Sequence, residues 1–365
     1  MREISPVAAR DPITLIYRGA IRKKIRLFFV LLGLLAFLMV YAIAVGSYDL
    51  SVANLIRAIF GRAEGAIETV IWNIRLPRIV AALLSGWGLG LAGVTFQSLL
   101  KNPLASPSTL GVSQGAAFGA ALAIVVFGAG GMQSGALRTQ GASPLNIYSM
   151  YTVTLFAFAG AVTATLIILA LARIKKMSPE AVILAGVALS SLFVSGTVLI
   201  QYFSSEVEIA AVVFWAFGDV ARSTWREIGL LGIAAFAITI YFVLHRWDLN
   251  ALLAGEETAK SLGVEVEKMR VLGMLIATVL AALVTCFHGV IAFLGLLAPH
   301  IGRRLIGSDH RLLIPYSCLL GGLLLLLADT VGRVVVGSGT LPVGVLTSFM
   351  GAPLFLYLLW KGYHR

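Results

Sequence analysis

Of the 365 residues, 59% are hydrophobic and 12% are charged, against roughly 25% charged in an ordinary soluble domain. Water is therefore not the main solvent of this chain, and a soluble globular fold is excluded. The net charge of +11 does not indicate nucleic acid, because the cations sit in short loops beside apolar runs, the pattern of membrane topology rather than of a basic groove.

The chain opens with a basic stretch that includes Arg22-Lys23-Lys24-Ile25-Arg26. The apolar run from Leu27 to Gly46 is longer than the core of a signal peptide and reads as a first span that is retained. Further apolar segments follow at 79–100, 110–128, 150–172, 181–203, 228–245, 271–287, 289–306, 312–328 and 342–360. That makes about ten candidate spans, each near the roughly 20 residues needed to cross a bilayer core. The division at Gly289 rests on two segments that almost touch. An even count puts both termini on one side, and Arg173, Lys175, Lys176, Arg303 and Arg304 join the N-terminal cations there, which makes that side cytoplasmic. Eight arginines fall on the other side: Arg57, Arg62, Arg75, Arg78, Arg138, Arg222, Arg226 and Arg333. Residues 1–26 are thus a cytoplasmic segment, and 27–365 form a single polytopic domain.

The 38 glycines suit helices that associate in lipid through close backbone approach, with Ser85–Gly90 and Gly115–Gly119 as two such surfaces. Two connections stand out. Residues 48–73 are mixed in polarity and read as an external amphipathic helix. Residues 246–270 form the longest cytoplasmic connection inside the bundle, and Glu256 and Lys260, spaced i,i+4, favour a short helix within it.

The remaining residues limit the chemistry. An ion-coupled transporter keeps an ionisable side chain inside its spans, whereas all 17 acidic residues read as lying in loops or near segment ends. Asp329 and Glu180 are the closest to apolar runs, as solvated or capping carboxylates. The phosphate-cradling Gly-x-x-x-x-Gly-Lys-Ser/Thr pattern is absent, so the chain is not expected to burn ATP itself and something outside it must supply work. The five histidines are scattered, Cys286 and Cys318 match no metal or redox spacing, and no catalytic constellation, metal site or cofactor is expected.

Several motifs in order carry a resemblance. Arg75-Leu76-Pro77-Arg78, Lys101-Asn102-Pro103-Leu104-Ala105-Ser106-Pro107, Leu110-Gly111-Val112-Ser113-Gln114-Gly115-Ala116, Gly295-Leu296-Leu297-Ala298-Pro299-His300-Ile301, Ser308-Asp309-His310-Arg311, Leu326-Leu327-Ala328-Asp329-Thr330, Leu341-Pro342-Val343-Gly344 and Gly351-Ala352-Pro353 resemble the permeases of type II ABC importers for siderophores, haem and cobalamin. The resemblance covers residues 50–360.

It implies an all-α integral membrane fold of ten transmembrane helices per subunit. It also implies a dimer, most simply of two identical permeases, two cytoplasmic ATP-binding subunits, and an extracytoplasmic binding protein that delivers the cargo. By motif, Arg75, Arg78 and Arg333 would dock carboxylates of that binding protein, the alternative being lipid anchoring or helix capping. Glu256, Glu257, Leu262 and Gly263 match the helix that couples to the ATPase. Asn102 and Leu104 fall at the cytoplasmic gate, unless they form a plain helix-end turn; its other half, near Ser178-Pro179-Glu180, has no clear match. His288 could touch a haem or corrinoid, or serve only as an interfacial hydrogen-bonding residue. Iron-siderophore is the first expectation for cargo, followed by haem, cobalamin and oxyanions such as molybdate.

Overall fold

A computed structural model describes residues 12–45, 66–128, 147–174, 178–336 and 341–362. The elements are α1 (Pro12–Ala44), α2 (Leu76–Leu99), α3 (Val112–Val125), α4 (Ile147–Ile174), α5 (Pro179–Tyr202), α6 (Glu206–Ala216), α7 (Trp225–Leu244), α8 (Arg246–Ala254), α9 (Glu256–Ser261), α10 (Val266–His288), α11 (Leu294–Ile306), α12 (His310–Val336) and α13 (Val343–Gly362). Each of the ten apolar segments coincides with a helix. Among the described residues, seven helices are long and apolar enough to cross a membrane, and α3 and α13 are shorter apolar helices.

α2 and α12 form the centre, each 78% buried over its most apolar stretch, whereas α1 and α5 are 17% buried and present apolar side chains outward. The two central helices cross at glycines. A Cβ on Gly86 would strike the Gly321 carbonyl, one on Gly90 the Ser317 carbonyl, and one on Gly321 the Gly86 carbonyl. The same device joins α3 to α4, where Gly115 and Gly119 lie against the Gly160 and Phe156 carbonyls. Both close-approach surfaces expected from the sequence are therefore helix contacts.

Of the expected external helix, residues 48–65 lie outside the described residues. Residues 66–73 belong instead to a helical run, Ala66–Thr69 followed by the π-helical Val70–Arg75, that continues into α2. Pro77 explains the wide turn, since its ring would meet the carbonyl four residues back in a regular helix.

α6 was not among the apolar segments. It is only 11 residues long, and Ser205 with Glu208 forms a capping box at its start. Ser205→Ala is expected to cost about 1 kcal/mol, read as a lowered unfolding midpoint in detergent.

The division at Gly289 is real. α10 ends at His288, Gly289 takes a positive φ of 77°, and the chain is non-helical until Phe293. Gly289 packs against the Trp215 carbonyl, and Gly218 and Gly344 both pack against the Val290 carbonyl. Non-helical backbone is tolerated at membrane depth only where protein buries it or where it lines a cavity. This segment does both, with Val290 and Ala292 lining a cavity of about 480 Å³ against Ala216, Phe217, Gly344, Val345 and Ser348.

Candidate functional site

The bundle has two polar ends. At the first, the starts of α2 and the ends of α1, α10 and α12 meet. Arg78 Nε donates to Asp329 Oδ1 at 2.7 Å, and Arg333 Nε lies 3.2 Å from Asp329 Oδ2. Arg75 Nη1 donates to the carbonyls of Ile43 at 2.5 Å and Ala44 at 3.0 Å. Arg333 Nη1 donates to those of Ala42 at 3.0 Å and Val45 at 3.3 Å. These carbonyls end α1, where helical partners run out, so Arg75 and Arg333 cap that helix while Arg78 and Arg333 share one carboxylate.

All three arginines are less than a tenth exposed, so the structure places them inside the packing rather than out in solvent. Asp329 corrects the sequence reading more sharply. It lies within α12 and is 1% exposed, neither solvated nor a cap, because two buried guanidinium groups require a counter-charge there. Glu180, by contrast, is exposed at the start of α5, after Ser178 caps Ala181 N at 3.2 Å.

His288 lies beneath this end and is fully buried. Its Nδ1 is 3.0 Å from Ser85 Oγ, and its Nε2 is bonded to Ser223 Oγ. With both ring nitrogens engaged, the ring ties α10 to α2 and to the turn before α7, which is a hydrogen-bonding role.

The opposite end gathers the last turn of α2, the turn at Lys101–Leu104, the α8–α9 connection and the starts of α10 and α12. The expected short helix is present as α9, but the Glu256–Lys260 pair is not. Lys260 Nζ pairs with Glu257 at 3.2 Å, while Glu256 Oε1 accepts from Arg270 Nη2 at 2.5 Å. Arg270 is 2% exposed, and a buried guanidinium claims the nearest carboxylate ahead of a solvated lysine. Burial alone would raise the Glu256 pKa, but the Arg270 hydrogen bond and the charges of Arg270, Lys101 and Lys260 outweigh it and hold the group below the ordinary carboxylate range.

The outer side of this connection is open. Glu257 is 91% exposed in its side chain and Leu262 is 68% exposed, with Gly263 beyond it at a φ of 84°. Asn102 turns back, its Oδ1 accepting from Leu104 N at 2.8 Å, which leaves Leu104 42% exposed. Gln97 binds α11 where Pro299 cannot: the proline has no N–H for the Gly295 carbonyl four residues back, and Gln97 Nε2 donates to that oxygen at 3.3 Å. Gln97 Oε1 accepts from Arg303. No sequence signal marked Gln97, Arg270 or Asp329 as partners, since each pairing joins residues distant in the chain.

Asp309, between α11 and α12, accepts from Arg311 Nε at 2.8 Å, Arg311 N at 3.0 Å and Asn250 Nδ2 at 3.0 Å. Burial raises its pKa, and these bonds with the Arg311 charge more than offset it, bringing it to about 2 from 3.8. A depressed carboxylate stabilises the fold above its unfolded pKa, and that contribution is lost as pH falls through the folded value. Unfolding followed in detergent is expected to show a loss between about pH 4 and pH 2 that Asp309→Asn removes.

Among the described residues no group of three His, Cys, Asp or Glu side chains is arranged to hold a metal, and both cysteines are buried and unpaired. What the architecture provides is a helical membrane bundle with a buried charge cluster at one end, an exposed helical loop at the other and a cavity beside a broken helix. That is the class of a multi-pass membrane permease. Residues 34–361 match the FecCD transport family, and the chain belongs to that family. It is 50% identical, over 96% of its length and 98% of the relative's, to a Methanocaldococcus jannaschii protein described as an ABC transporter permease. It is 35% identical to the vitamin B12 import system permease protein of Vibrio cholerae, covering 81% of this chain and 84% of that one.

A solved chain described as a metal-chelate type ABC transporter in an inward-facing conformation aligns with a TM-score of 0.76 at 31% identity, covering 93% of this chain and 99% of that one. The ABC permease reading therefore stands, and the ion-coupled secondary transporter does not. Asp329 agrees with this outcome, since a carboxylate held between two guanidinium groups is a poor carrier of a coupling ion.

Proposed function

We propose that this chain is the membrane-spanning half of an ATP-driven importer. It takes up an iron chelate, haem or a corrinoid, with two copies forming the pathway, two cytoplasmic ATPase subunits supplying work and an extracytoplasmic binding protein delivering cargo. The observation that carries this is the α8–α9 connection, a short helix with Glu257 and Leu262 outward and its inner residue Glu256 bound to the spans through Arg270. An exposed leucine beside a charged turn is suited to a cleft on a partner. Metal-chelate and vitamin B12 transport among the relatives support the cargo class.

In this reading the loop end is cytoplasmic, both termini lie there, residues 1–26 form a cytoplasmic segment and 27–365 one polytopic domain. Asn102 and Leu104 form the gate, Glu256, Glu257, Leu262 and Gly263 receive the ATPase, and the cavity beside Val290 belongs to the cargo route. Arg75, Arg78 and Arg333 give the outer end an excess of positive charge that attracts and orients carboxylates of the binding protein. The chain itself performs no chemistry and holds no cofactor.

The test is uptake into proteoliposomes containing this chain, its ATPase subunits and its binding protein, with labelled ferric siderophore, haem and cobalamin offered in parallel. One cargo is expected to enter only with ATP and only with the binding protein. Flux without either would overturn the assignment of energy source and of delivery.

A further inference from the structure

The last turn of α2 is tied to each neighbour at the loop end by three consecutive residues. Gln97 holds α11 through the Gly295 carbonyl and Arg303. Ser98 Oγ lies 2.5 Å from His310 Nε2 of α12, whose Nδ1 is 2.9 Å from Asn250 Oδ1 of α8. The Leu99 carbonyl accepts from Arg270 Nε of α10 at 3.2 Å. The first two ties join α2 to helices of the bundle and to the start of the connection. The third reaches α9, because the same guanidinium donates through Nη2 to Glu256, and Lys101 Nζ stands 4.0 Å from that carboxylate.

We propose that Arg270 is a positioning residue that carries movement of α9 into the Lys101–Leu104 turn, the inference resting on the coupling and gate readings above. The Arg270 side chain is 3% exposed, whereas that of Glu256 is 34% exposed, so the carboxylate is the movable partner and the guanidinium the buried one. Separating them would take a buried guanidinium from a carboxylate that it holds through a charged hydrogen bond, and displacement of Glu256 therefore draws Arg270 with it. The planar fork of the guanidinium fixes the angle between this contact and the one to Leu99, which passes the displacement to the Leu99 carbonyl rather than absorbing it.

The receiving residue packs on α10, where a Cβ on Gly273 would come within 2.7 Å of Leu99 Cδ1. Two residues on, Lys101 takes a left-handed φ of 46°, a conformation a lysine holds only when its surroundings impose it. A shift of the Leu99 carbonyl thus acts directly on the turn that sets Asn102 and Leu104.

The test uses the permease assembled with its ATPase subunits in nanodiscs. Leu104→Cys is labelled by a hydrophilic maleimide, against a background in which Cys286 and Cys318 are buried. Addition of ATP with vanadate is expected to change the labelling rate about tenfold, within the usual range of coupling between sites. Arg270→Gln should remove that change while ATP hydrolysis continues, Glu256→Gln should remove it as well, and Arg270→Lys should restore part of it. Glu265→Gln, in an exposed pair with Lys268, should leave it intact.

A full response in both Arg270→Gln and Glu256→Gln would overturn the relay and leave the gate in place. No response in Leu104→Cys alone would overturn the gate reading and the relay with it. Loss of ATP hydrolysis together with the response in Arg270→Gln would mean that Arg270 serves the ATPase contact itself, which also overturns the relay. Glu256→Gln lies in the loop and so keeps the test decisive if the buried Arg270 variant fails to fold.

Discussion

Gly86→Val is expected to lower the stability of the bundle by at least about 3 kcal/mol, read from equilibrium unfolding in mixed micelles or as loss of monodisperse protein after extraction. The reason is local and rigid. A Cβ at Gly86 meets the Gly321 carbonyl and the backbone of Gly322, so no rotamer change makes room. Either α2 and α12 move apart or the pair does not form, and these two helices are the most buried in the bundle. Without a hydrophobic driving force between helices in lipid, close packing is most of what holds them. Gly229→Ala is the control, because a Cβ there has nothing within 4 Å, and it should be neutral or slightly stabilising through helix propensity.

Asp329→Leu should destabilise by about 3–5 kcal/mol, since removing one partner of a buried ionic cluster leaves the others uncompensated. Here Arg333 would lose its carboxylate and Arg78 the nearer of its two, keeping Asp219 at 4.0 Å, while both remain within the packing. The triple change Arg78→Met, Asp329→Leu, Arg333→Met should recover much of the loss, as whole buried clusters are often replaceable by apolar side chains. The triple variant also separates two roles of the arginines. A variant that is stable but no longer responds to the binding protein in the uptake assay would support docking. One that is stable and still responds would leave Arg78 and Arg333 as parts of the fold alone.

Legibility followed distance along the chain. The apolar segments, the break at Gly289 and the short helix after Gly255 were readable because each depends on residues within a turn or two of one another. The motifs placed the Lys101–Leu104 turn and the Glu256–Ser261 helix for the same reason. Partnerships were not readable. Nothing near Glu256 announces that a residue 14 positions on will outcompete Lys260 four positions on, and Asp329 looks like the edge of a span until α2 brings Arg78 to it across 251 residues.

By itself, then, the sequence determined that the chain lives in lipid and roughly where its apolar helices run. Composition and local propensity are enough for those, because the bilayer requires every spanning segment to satisfy its own backbone. Only the tertiary structure decided which charges are buried and with whom, that His288 is a strut between helices, and that the end of α2 gathers the ties leading from the loop to the turn at Lys101. Burial and pairing depend on which helices meet, and here that was set by glycines whose contacts lie on other helices.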